Sequence, residues 1–85
     1  MNIYEAAKLV VTESQYKLVR MKKNSTPDQL DVKDHEGNKK GWIFLDGVTA
    51  NLIVKVTEAL GEENRAKFLS LNPLQAVNVA WKLVK

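Results

Sequence analysis

Lys39–Val56, KKGWIFLDGVTANLIVKV, is the densest apolar run in the chain, and its spacing changes half-way. Trp42–Leu45 is apolar on every residue and reads as a strand. From Val48 the apolar positions recur every three or four residues, the period of an amphipathic helix. The joint is Asp46-Gly47-Val48-Thr49. Thr49 is expected to cap the helix, with Val48 and Ile53 as a hydrophobic staple. Asp46 is expected to accept hydrogen bonds from backbone N–H groups at the turn. Leu52, Ile53, Val56, Ala59 and Leu60 form the predicted buried stripe, and Gly61 the stop. Asp46, Gly47, Thr49, Asn51 and Lys55 break the run well short of the roughly 18 apolar residues a membrane span needs.

Upstream, QLDVKD alternates Leu30 and Val32 with Asp31 and Lys33, a strand with one apolar face. Asp34-His35-Glu36-Gly37-Asn38 has turn chemistry. The spacing therefore predicts a hairpin near 34–41, with Gly41–Leu45 as the return strand, set deeper because it is apolar on both faces. A lone hairpin is marginal, so YKLVRMKK, over 16–22, is read as a third strand in preference to a helix. Tyr16 and Leu18 fall on one of its sides, Val19 and Met21 on the other. Residues 3–13 read as a helix with Ile3, Ala6, Ala7, Val10 and Val11 inward. Asn2 and Glu5 have the spacing of a capping box.

Downstream, Glu62 and Glu63 open a short helix anchored by Phe68, Leu69 and Leu71. Asn72, Pro73 and Gln75 then start the last helix with a cap, a first-turn proline and a second capping-box spacing. Its polar stripe is narrow: Gln75, Asn78, Lys82 and Lys85. Such a helix is either central to the domain or shared with another chain. The expected fold is α+β in a single domain, 1–85: an N-terminal helix, a small antiparallel sheet of two or three strands, then three C-terminal helices.

The 85 residues contain one histidine and no cysteine. His35 sits alone between carboxylates in a turn, which excludes zinc sites and nucleophile–base pairs of the usual kind. The four glycines are isolated, so no phosphate loop exists. No catalytic residue, cofactor, metal or small-molecule substrate is expected. MNIYEAAKLVV lacks the basic start and apolar run of a secretion signal, and the lack of cysteine fits a reducing compartment. The expected location is the cytoplasm.

Two binding functions remain. Surplus apolar surface around the last helix and Trp42 favours a protein partner or a second copy, with Trp42, Val77, Trp81 and Val84 as contact residues. The alternative is nucleic acid on the basic sheet region, through Lys17, Arg20, Lys22, Lys23, Lys39 and Lys40, in a chain of net charge +3. Asp28, Asp31, Asp34 and Glu36 lie among these lysines, and Tyr16 is the one aromatic interleaved with them. A helix-turn-helix over 49–71 is disfavoured, because Glu62 and Glu63 would begin its recognition helix.

Residues 42–85 resemble a recurrent type of short protein from bacteria, their phages and plasmids. The resemblance lies in Leu45-Asp46, Thr49-Ala50, Ala59-Leu60 with Asn64, and Val79-Ala80-Trp81-Lys82-Leu83. It implies an accessory protein of a mobile element and brings no activity or functional residues with it.

Overall fold

Capping signals set the helices. Asn2 Oδ1 accepts from Glu5 N at 2.9 Å, and Glu5 Oε1 accepts from Asn2 N at 3.0 Å, so the capping box starts α1, Ile3–Glu13. Ser14 ends it in the left-handed region. The computed structural model describes residues 1–37 and 39–83. Its order is α1, β1 (Lys17–Arg20), β2 (Asp31–Asp34), β3 (Ile43–Leu45), α2 (Gly47–Ala59), α3 (Glu62–Leu69) and α4 (Pro73–Leu83). This is the α+β architecture the periodicity predicts, with 16–22 supplying a strand.

The sheet order is β2-β1-β3, both pairings antiparallel. Here the predicted hairpin near 34–41 is corrected. β2 and β3 run parallel to one another with β1 between them, and residues 35–42 cross from one sheet edge to the other. Leu18 and Val19, adjacent and pointing to opposite faces, are both buried. Burial on both faces marks the central strand, and β1 rather than the return strand fills that slot. Gly37 of the expected turn has φ 108°, Asn38 lies outside the described residues, and Gly41, expected to open the return strand, has φ 84° and precedes β3.

One face of the sheet carries Val19 and Leu45 into the core with Ile3, Ala6, Ala7, Val10, Ala50 and Ile53 of α1 and α2. Tyr4 Oη donates to Glu58 Oε2 at 2.7 Å and ties these two helices together. Val11, predicted inward, is exposed, because the buried arc of α1 stops at Val10. α2 starts three residues earlier than expected: its cap is Asp46, whose Oδ1 accepts from Thr49 N at 2.7 Å. Thr49 lies inside the first turn and is buried, and the inward stripe is Thr49, Ala50, Ile53, Val56 and Thr57, leaving Ala59 exposed. Gly61 is extended (φ −65°) and caps α3; it is not a left-handed stop. Instead the Arg65 side chain closes the end of α2, donating to the carbonyls of Thr57 and Leu60 at 2.9 and 3.1 Å.

α4 has its predicted cap: Asn72 Oδ1 accepts from Gln75 N at 2.9 Å. It packs on α2 through small side chains, Ala76 and Ala80, both fully buried. Small residues one turn apart let the helix axes approach. The bulky Leu74, Trp81 and Leu83 are left outside that seam.

Candidate functional site

The structure divides the predicted contact residues between two surfaces on opposite sides of the sheet. The first is helical. Trp81 of α4 and Val48 of α2, 43% and 68% exposed, wall a groove with Asn51, Leu52 and Lys55. At about 300 Å³ the groove matches only the smallest ligand pockets, a size suited to a side-chain anchor. Asn51 is shared with a neighbouring groove between α1 and α2, lined by Val10, Val11, Ser14, Tyr16 and Gly47. The two grooves adjoin at Asn51, the α2–α4 groove being the more apolar, with Lys55 as the charged side chain among their described lining residues. Trp81 belongs to this surface. Val77 is half-buried against the core, and Val84 lies outside the described residues. Val11 and Val48 were not foreseen; their exposure depends on where α1 and α2 touch, which periodicity leaves open by one position.

The second surface is the outer face of the sheet. Register places Leu18, Lys33 and Phe44 on one side, together with Arg20 and Asp31. Trp42 joins them, with the Arg20 guanidinium 4.4 Å and the Lys33 ammonium 4.3 Å from its ring centroid. Phe44 makes an edge contact with Tyr16 at 5.6 Å and lies tilted against His35 at 4.4 Å. Leu18, 1% exposed and outside the helix-side core, is buried on this side of the sheet. Trp42 is thus remote from Trp81. Its neighbours are cations.

The basic residues separate similarly. Lys17 faces the helices, buried and paired with Glu13 at 2.9 Å and Asp34 at 2.5 Å, so it is not part of an open patch. Arg20 and Lys22 each hold a different oxygen of Asp31, both at 3.1 Å. Burial alone would raise the Asp31 pKa, but these two hydrogen bonds outweigh it and hold the carboxyl below its usual range. Lys23, Lys39 and Lys40 are exposed in the connections at the Arg20 end of the sheet. Asp28 lines a groove on the helical side, with Asn2, Ala66 and Leu69. His35 and Phe44 were missed beside the lysines; the alternation 42/44 against 16/18/20 signals them once β3 is paired with β1.

Among the described residues no helix is long and apolar enough to cross a membrane, and no group of three His, Asp or Glu side chains is placed to hold a metal ion. No protein-family model, curated protein or solved structure matches this chain.

Proposed function

We propose that this chain is a non-catalytic accessory protein that docks an apolar, acid-bearing segment of a protein partner on the α2–α4 groove. The observation that carries this is the exposure of Trp81 and Val48 over Leu52, beside a seam already closed by Ala76 and Ala80. Removing such surface from water is worth about 25 cal/mol per Å² before the costs of association are subtracted. Tryptophan at the centre of a groove is the usual energetic anchor of an interface. Lys55 on the rim pairs with an acidic partner, whereas a second copy would bring the same positive charge to the contact. The resemblance of residues 42–85 to short phage and plasmid proteins is consistent with an accessory role in a mobile element.

The test is a titration of the purified partner, first captured on the immobilised chain, against wild type, Val48→Asp and Trp81→Ala. Each substitution should weaken binding about tenfold or more, with the fold confirmed by circular dichroism. Sedimentation velocity at micromolar concentration separates the two occupants. A wild-type dimer lost in Val48→Asp points to self-association, and a strict monomer whose captured partner binds both variants normally sinks the proposal.

A further inference from the structure

A second face has a different chemistry. The outer side of the sheet combines aromatic rings with cations, and Tyr16 at its edge also lines the α1–α2 groove. Tyr16 and Phe44 are 50% and 38% exposed, so the rings that shield Leu18 also reach solvent. Around them stand Arg20 and Lys33 on the face itself and Lys22, Lys23, Lys39 and Lys40 at one end. The acids that dilute this charge in the sequence are placed elsewhere or already engaged. Asp34 pairs with the inward Lys17, Asp28 accepts from the Thr26 hydroxyl beside a groove at α3, and Asp31 is held by Arg20 and Lys22. Glu36 remains, in the connection beyond His35 at the end opposite the lysines.

We propose that this face binds single-stranded nucleic acid. One base stacks against the Phe44–Tyr16–His35 cluster and a neighbouring base against Trp42, while Lys33, Lys23, Lys39 and Lys40 take the phosphates. Exposed rings offer stacking surfaces to any base, and stacking is sequence-tolerant. A duplex keeps its base faces internal, so it meets the cations and not the rings. A protein segment would use the rings but has no general reason to follow a lysine-lined end. Phosphate would displace Lys33 from the Trp42 ring, where it now lies 4.3 Å from the centroid, and free that ring for a base. Stacking on the rings and pairing with phosphates use no sugar hydroxyl, so deoxyribose and ribose strands should bind alike.

The full chain is titrated by fluorescence anisotropy with four labelled probes: a 15-nucleotide oligothymidylate, the matching oligouridylate, a 15-base-pair duplex, and a 15-unit abasic phosphate strand. The two single strands should bind within about threefold of each other, and the duplex and abasic strand at least tenfold more weakly, the scale of one stacked base. With about four phosphates neutralised, raising salt from 50 to 200 mM should weaken single-strand binding about fiftyfold. Phe44→Leu keeps an apolar cover over Leu18 and removes the ring; it should lose about tenfold. Lys33→Gln should flatten the salt dependence. In Trp81→Phe, Trp42 is the one remaining tryptophan, and its fluorescence should be quenched by the oligothymidylate. Equal binding of all four probes, or an unaffected Phe44→Leu, overturns the proposal in favour of simple charge attraction. Absence of binding by every probe at 50 mM salt overturns it outright and leaves the α2–α4 groove untouched.

Discussion

The Lys17 ammonium lies 2.5 Å from Asp34 Oδ1, across a register pair at the end of the β1–β2 ladder. Asp34 is the largest cause of a raised Lys17 pKa, Glu13 the next, and both outweigh desolvation. The folded chain thus holds this proton more tightly than the unfolded one. Its contribution to stability is complete below the ordinary lysine value of 10.5 and is lost as pH rises through the raised value. Urea titrations of wild type and Lys17→Met should differ at pH 7, with the wild type more stable, and converge well above that value. A difference unchanged at strongly alkaline pH would assign the effect to packing of the lysine stem.

Asp46 joins sheet to helix through one bond to Thr49 N. Asp46→Ala should lower stability by about 1 kcal/mol, and Asp46→Asn, which keeps an acceptor, by much less. Thr49→Val keeps the buried shape and removes only the hydroxyl, so a loss there as large as at Asp46→Ala would contradict the assignment.

Two glycines should respond in opposite directions. Gly61 caps α3 with extended backbone, has open space at its Cβ position and gives no side-chain cap bond. Gly61→Ser should therefore gain about 0.5 kcal/mol, from a cap bond and a less mobile unfolded chain. Gly41 has φ +84°, and Gly41→Ala should lose about 1 kcal/mol. Thermal melts of the two variants check both signs.

Leu18 lies on the outer side of the sheet and is as buried as the helix-side core. Leu18→Ala should cost about 2–5 kcal/mol and enhance binding of a hydrophobic dye, as the ring cluster loses its floor. A cost under 1 kcal/mol would mean that the outer cluster collapses onto the space.

Ala80 is fully buried where α4 meets α2. Ala80→Leu should cost about 1–3 kcal/mol by forcing the helices apart. The same change at Asn78, exposed on α4, should be close to neutral.

Much of the fold is legible in the chain because it depends on neighbours. Asn2 with Glu5 and Asn72 with Gln75 reach one another within a turn, so the caps of α1 and α4 follow from spacing alone. The change of period at Val48 likewise places the passage from sheet to helix to within about one residue of the start of α2 at Gly47. Thr49 and Asp46 are both good capping residues three positions apart, and Asp46 accepts the backbone N–H expected of it and so takes the cap. The choice rests on where the chain enters the helix, and β3 ends at Leu45.

The candidate surfaces were only half legible. Apolar excess on the Trp81 helix is visible as composition. Which residues stay outside depends on the Ala76 and Ala80 seam, a contact with a helix more than twenty residues away. Trp42 could not be separated from Trp81 without the sheet register.

By itself, the sequence determined the elements, their order, the caps of α1 and α4 and the lack of a cysteine or second histidine. These depend on side-chain chemistry and on hydrogen bonds a few residues long. The tertiary structure alone placed β1 between β2 and β3, sent Lys17 inward and Arg20 outward, and gathered Tyr16, His35, Trp42 and Phe44 on one face. The reason is that a sheet's order and register follow from which strand can be buried on both sides. That depends on the whole set of strands and helices competing for one small core.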